Sequence, residues 1–359
     1  MPDYRGPNVV NVVPALLEHR ALGEGWVPEP ALEARQVVLL VIDGLGWNQL
    51  QARSELAPTL SAATGGPITT VAPSTTAAAL TSISTGSPPG EHGIVGYKIR
   101  YHGELLNVLR WRTQSGDARQ TIVPSELQQL PAFGGRDPIV VNRREFIDSG
   151  FTHAHLAPVR YRSYGVASTI IHEVAEAAAA GESFVYAYYD GLDRVGHETG
   201  HGLAFDAEYR FVDWLVSEIR RSLPPEVALL VTADHGQVDS TDASIAIAAD
   251  VLAETVGLSG EDRFVWLHGR RDNATDVLAA ATSYHDEDAW VMSVEEVLDR
   301  HILGARVNPV ARECLGDVAL IARSNLALVD PALPPKSLIG RHGSMTADEM
   351  FVPLLAIPS

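Results

Sequence analysis

Six residues of two chemical types stand beside short apolar runs: Asp43, Asp193, His197, Asp234, His235 and His342. Carboxylate oxygen and imidazole nitrogen are the donors that hold zinc and related divalent ions, and six of them suffice for two four- or five-coordinate sites. Asp193 and His197 stand four apart, so one helical turn or a tight loop presents both to a single ion. Asp234 and His235 are adjacent, which amphipathic periodicity does not explain. A single aspartate after a strand is usually a helix cap or turn residue; the information lies in the set. Such a centre needs a nucleophile. The run Pro73-Ser74-Thr75-Thr76-Ala77-Ala78-Ala79-Leu80 offers hydroxyls at a predicted helix start. Free N–H groups and the positive end of the helix dipole there favour both an alkoxide and a phosphate. A metal-bound threonine alkoxide would attack phosphorus in line while a second metal stabilises the leaving oxygen.

The elements that must position these groups follow from the apolar pattern. Residues 37–41 run into Asp43, Phe184–Tyr189 into Asp190 and Asp193, and 227–231 into Asp234 and His235, while His342 precedes Phe351–Ile357. Runs of five to seven Val, Leu, Ile and Tyr residues without helical period read as strands buried on both faces. Between them, Thr76–Thr85 stops at Gly86, 168–180 is Ala-rich and stops at Gly181, and 205–223 repeats apolar residues at three and four before Pro224. Alternation of this kind predicts an α/β fold, a mostly parallel central sheet with helices on both faces. Ligands then bind outside the carboxyl ends of the strands, where the acids and histidines fall. The stretch 251–328 differs. Short strands at 264–267, 291–292 and Val318–Ala322 and helices at 274–282 and 294–303 predict a small α+β cap, with residues 1–250 and 329–359 forming the core. Residues 97–113 form a second excursion.

Composition narrows the function further. The 359 residues, 46% of them hydrophobic and 20% charged, are enough for a substantial core and ordinary for a globular chain. With 27 basic against 45 acidic residues the net charge is −18, which lacks the footprint of a bulk nucleic-acid binder. Cys314 is the only cysteine, excluding an internal disulfide, a multi-thiolate zinc site and an iron–sulfur cluster. Residues 1–24 carry Asp3, Arg5, His19 and Arg20 among short apolar runs, and no stretch reaches the roughly eighteen apolar residues of a membrane span. A cytoplasmic protein without export signal or anchor is expected.

The order of the patches resembles the alkaline phosphatase superfamily, and within it the type I phosphodiesterase/nucleotide pyrophosphatase family. The patches are Asp43-Gly44, Thr76 followed by Thr85-Gly86 and His92-Gly93, Asp193-Arg194-Val195-Gly196-His197, Thr232-Ala233-Asp234-His235-Gly236 and His342-Gly343. They span residues 37–357, and the segment after Ala249 contributes only the last. The resemblance selects Thr76 over Thr75 and Ser74 as nucleophile, and Asp193 over Asp190 as ligand. It implies two divalent ions, zinc or alternatively manganese. One would be held by Asp193, His197 and His342, the other by Asp43, Asp234, His235 and Thr76. The activity it implies is hydrolysis of a small phosphate ester, of phosphodiester or nucleotide pyrophosphate type, through a phospho-threonine. A phosphomonoesterase and a phosphonoacetate hydrolase-like enzyme that breaks a carbon–phosphorus bond are the enzymatic alternatives. A non-catalytic binding member of the superfamily has no chemical need for a nucleophile beside the metals. Ala77 and Ala79 stand where the resemblance puts a base-stacking aromatic and an asparagine, which predicts weak nucleobase discrimination. Asn107 is the candidate for the missing phosphoryl contact. Lys98, Arg100, Arg110, Arg112, Arg160 and Arg162 are candidates for gripping a second negative charge.

Overall fold

The computed structural model describes residues 1–19, 25–240, 244–333 and 338–358, so residues 20–24 of the N-terminal segment, Arg20 among them, lie outside the described residues. Its centre is a seven-stranded sheet. In chain order the strands are β1 (Gln36–Ile42), β2 (Thr64–Thr69), β3 (Ile139–Arg143), β4 (Arg160–Tyr164), β5 (Phe184–Tyr189), β6 (Val227–Thr232) and β7 (Phe351–Ile357). Across the sheet they run β2-β7-β6-β1-β5-β3-β4. From β6 to β4 every pair is parallel. Strand β7 is antiparallel to both β6 and β2. That single reversal matters for the site: the carboxyl ends of β1, β2, β3, β5 and β6 and the amino end of β7 all reach one edge, and Phe351 lies opposite Thr69 there.

Strands β1 and β5 are buried on both faces because their side chains are apolar at nearly every position, so neither can turn a face to water. The helices α1 (Thr76–Thr85), α2 (Thr169–Ala179), α3 (Gly191–Thr199) and α4 (Leu203–Ser222) include the three expected from pattern, with ends shifted by at most two residues. Helix α1 is buried nearly all round, from Thr76 to Ser84, and its small Ala77, Ala78 and Ala79 side chains, all fully buried, let it approach the surrounding elements closely. Its end is set by Gly86 in the left-handed conformation. Pattern reading did not find β2, β3 or β4. Their sequences, Thr-Gly-Gly-Pro-Ile-Thr, Ile-Val-Val-Asn-Arg and Arg-Tyr-Arg-Ser-Tyr, belong to the two edge strands and the neighbour of one, where polar residues and proline are tolerated.

The stretch predicted as a cap contains a four-stranded antiparallel sheet, Thr255–Glu261, Phe264–Gly269, Val318–Ala322 and Ala289–Ser293 in spatial order. Its side chains alternate with period two. Val265, Leu267, Val318 and Leu320 form a separate small core with Val277 and Ala281 of the helix Ala274–His285. Phe264, Trp266, Ala319 and Ile321 point the other way into the main core. The helix expected over 294–303 stops at Asp299, and His301 just beyond it has a positive φ of 54° that ends the regular backbone. The second excursion is a small antiparallel sheet, opening with Lys98–Tyr101 and Glu104–Asn107.

Candidate active site

Each predicted ligand follows a strand end at the shared edge or leads into one. Asp43 follows β1, Asp193 sits in the first turn of α3 after β5, Asp234 and His235 follow β6, and His342 lies in the segment leading to β7. The chain can turn directly after Asp43 because Gly44 adopts φ +75°, and a Cβ there would lie 3.1 Å from the Asp193 backbone. Thr76 is the first residue of α1, behind the extended Thr75. Its Oγ1 lies 3.0 Å from His235 Nε2.

His235 is the hub. Its Nε2 stands 3.3 Å from Asp43 Oδ1 and 3.3 Å from Asp234 Oδ2. Asp193 stands 3.2 Å from His197 Nε2 through Oδ2 and 3.8 Å from His342 Nε2 through Oδ1. Two three-residue groups, Asp43/Asp234/His235 and Asp193/His235/His342, each bring their ligand atoms within 4.8 Å of one another. His235 therefore belongs to both groups in this geometry, its ring stacked on that of His342 at 3.5 Å between centroids. Asp190, the alternative to Asp193, is bonded to Arg143 Nη1 at 3.0 and 3.2 Å.

The surrounding hydrogen bonds aim these donors. The Nδ1 atoms of His197, His235 and His342 bond to the carbonyls of Gly340, Gly236 and Ser74, which places their protons on Nδ1 and turns Nε2 to the centre. The Tyr188 hydroxyl donates to Asp43 Oδ2 and the Gln237 amide to Asp193 Oδ1. Asp234 Oδ1 accepts the backbone N–H groups of Gly44 and His235. Asp43 Oδ1 and Asp234 Oδ2, by contrast, are buried without a hydrogen-bond donor among the described residues. Two buried carboxylate oxygens thus converge beside His235 Nε2 with no donor of their own, an arrangement that costs several kcal/mol unless a cation joins them. The donor set fits a divalent metal centre.

The electrostatics agree with that fit. Burial, then repulsion from Asp234 and Asp193, pushes the Asp43 carboxyl well above its usual range, and burial followed by Asp193 lifts Asp234 to about 7. Burial would also raise Asp193, but His197 and His342 outweigh it and hold it low. His197 is raised to about 9, its burial overcome by Asp193, whereas burial lowers His235 to about 4 and His342 to about 3. Without cations, three crowded carboxylates can be neutralised only by protons.

Above the centre opens a cavity of about 560 Å³. Thr76, Asp43, Asp193, His197 and His342 line it, while Asp234 and His235 lie beneath, fully buried. Asn107 is not in its wall; the amide instead donates to the Tyr97 hydroxyl, and Tyr97 is in the wall. Of the six cations expected to grip a second charge, only Arg110 lines the cavity. Arg160 and Arg162 are paired with Glu182 and Glu173, because β4 runs along the far edge of the sheet. Ala77 and Ala79 face the core rather than the cavity, whose apolar wall includes Leu109, Phe146 and Phe151. Sequence reasoning missed Tyr188, Gln237 and Tyr97, and it missed the hairpin residues Asp262 and Arg263 that brace Arg341 and Glu349. Gln237, two residues beyond His235, and Tyr188, two before Asp190, were visible only as neighbours of the motif residues.

The fold is that of the alkaline phosphatase superfamily. Within it the chain belongs to the type I phosphodiesterase/nucleotide pyrophosphatase family, whose sequence model matches residues 37–345, and that family comprises hydrolases of phosphate esters. No curated protein matches the chain significantly. Among solved structures it is similar to murine ectonucleotide pyrophosphatase/phosphodiesterase 5, with TM-score 0.69 and 17% identity over 90% of this chain and 88% of that one. An inactive variant of that murine protein has been solved in complex with AMP. Phosphonoacetate hydrolase from Sinorhizobium meliloti 1021, in complex with phosphonoformate, gives TM-score 0.64 and 18% identity over 90% of both chains.

Proposed function

We propose that this protein is a two-metal hydrolase of phosphodiesters or nucleotide pyrophosphates that works through a phospho-threonine at Thr76. The observation that carries the reading is the contact of Thr76 Oγ1 with His235 Nε2, beside two buried carboxylate oxygens that have no other partner. Asp193, His197 and His342 would hold one ion, and Asp43, Asp234 and His235 with Thr76 the other. Two divalent ions, zinc or manganese, would supply Lewis acidity for the threonine oxygen and the leaving oxygen. Charge supports this number: Asp43, Asp193, Asp234 and a Thr76 alkoxide sum to four negative charges, which two such ions balance.

Thr76 Oγ1 forms a bond to phosphorus as the bond to the leaving oxygen breaks. Water then attacks the same phosphorus and the Thr76 oxygen leaves, regaining a proton. The N–H groups at the start of α1 have no partner within the helix and aim positive potential at the phosphoryl group. A cavity of about 560 Å³ with Leu109, Phe146 and Phe151 in its wall suits an organic substituent beyond the phosphate, which favours a diester over a compact phosphonate. The test is to measure the metal content of purified protein and assay it against bis-p-nitrophenyl phosphate, p-nitrophenyl phosphate, phosphonoacetate and dinucleotides. Diester or dinucleotide turnover that chelation abolishes is expected; turnover of phosphonoacetate alone would overturn the assignment.

A further inference from the structure

We propose that the Tyr97 hydroxyl is a catalytic hydrogen-bond donor to the phosphoryl oxygen, turned toward it by Asn107; this rests on the phosphoryl-transfer reading above. The direction of one amide decides where the Tyr97 proton goes. Asn107 Oδ1 accepts the backbone N–H of Arg110 at 3.0 Å, so its Nδ2 is the end that faces Tyr97. That Nδ2 donates to the Tyr97 oxygen at 2.6 Å. A phenol oxygen that accepts from an amide must send its own proton elsewhere, and a hydroxyl that accepts one hydrogen bond donates the next more strongly.

The residue is held for this role. Its backbone N–H bonds to Glu261 Oε2 at 3.0 Å and its carbonyl accepts from Val108 at 2.9 Å. Asn107 is fixed opposite Lys98 in the hairpin of the second excursion. Tyr97 lines the same cavity as Thr76, and the phosphoryl oxygens to be bound there accept hydrogen bonds only. Of the cavity arginines, Arg194 and Arg341 are engaged with Asp190 and Asp262, Arg110 stands exposed in the wall, and the cavity carboxylates repel phosphate. The Tyr97 proton is a neutral donor aimed by its own partner, which is what charge developing on a transferring phosphoryl group requires.

The experiment compares wild type, Tyr97→Phe, Asn107→Leu and the double variant. Turnover of bis-p-nitrophenyl phosphate, inhibition by orthovanadate, metal content and melting temperature are measured for each. Tyr97→Phe should lower kcat about a hundredfold, as loss of one such donor does. It should weaken orthovanadate, which mimics five-coordinate phosphorus, by a similar factor and leave metal content and melting temperature unchanged. Asn107→Leu should lower kcat about tenfold, and in the Tyr97→Phe background it should do nothing more, because it acts only through the hydroxyl. Wild-type turnover that Tyr97→Phe retains within threefold, with unaltered vanadate inhibition, overturns this assignment alone. So does an equal Asn107→Leu effect in both backgrounds. A wild-type protein that neither turns over the diester nor binds vanadate overturns the functional reading and this assignment with it. Should Tyr97→Phe melt more than about 5 °C below wild type, Asn107→Leu decides instead, and unchanged turnover in that variant overturns the proposal.

Discussion

Arg263 and Glu349 form a two-pronged ion pair in the fully buried interior, Nε to Oε1 at 2.6 Å and Nη2 to Oε2 at 2.7 Å. Arg263 lies in the hairpin between Thr255–Glu261 and Phe264–Gly269, and Glu349 in the short helix Ala347–Met350 before β7. The same carboxylate accepts the Ser344 N–H at 3.0 Å, and the Glu349 carbonyl accepts the Gly236 N–H at 2.9 Å. One charge pair therefore joins the predicted cap to the segments that carry His235 and His342.

Arg263→Met should destabilise the protein by about 3–5 kcal/mol, because it leaves Glu349 charged and buried without its counter-charge. Metal content should fall with it as the His342 segment loosens. Denaturant unfolding with parallel metal analysis checks this; full stability and full metal content would mean the pair is incidental.

Divalent cations should raise the melting temperature of metal-stripped protein in a concentration-dependent way, since they bind the folded state and the unfolded chain holds no preformed site. Asp234→Asn should remove most of that response. Its Oδ2 has no other task, while Oδ1 is already occupied by the Gly44 and His235 N–H groups. A melting temperature indifferent to zinc and manganese would count against the centre.

The pH dependence has a definite sign. Burial lowers His92 to about 3 and His155 to about 4, and neither belongs to the metal centre. Both stay neutral when folded but protonate below about 6.5 when unfolded. Stability is thus fully present above about pH 6.5 and is lost as pH falls toward 4 at about 1.4 kcal/mol per pH unit for each histidine. Denaturation of metal-loaded protein between pH 4.5 and 7.5 checks this. His92→Gln should remove one proton from the slope.

The central strands and the convergence of the acids and histidines were legible because both rest on local patterns: apolar runs such as Phe184–Tyr189, and a short polar signature directly after each. What joins them was not. Tyr97 and Asn107 meet across a hairpin that carries no strong turn signal, and Arg263 meets Glu349 from 86 residues away. Where Ala77 points was not legible for a related reason. One sequence cannot say which way a helix turns, and α1 turns Ala77 into the core.

Substrate recognition is accordingly expected from Phe146, half-buried in the cavity wall, and not from the position after Thr76. Phe146→Ala should raise KM for an aryl diester or a dinucleotide about ten- to hundredfold, the worth of one stacked ring. A small alkyl diester should be unaffected. Equal effects on both substrates would remove Phe146 from recognition.

The most direct test of the central claim is mass spectrometry of the peptide containing Thr76 after acid quench of protein caught turning over a phosphodiester. We expect a phosphoryl adduct on Thr76 in wild type. Thr76→Ala should show neither adduct nor turnover while keeping its metal, and Thr75→Ala should retain both adduct and turnover. Turnover by Thr76→Ala, or an adduct on Thr75 instead, would contradict the account.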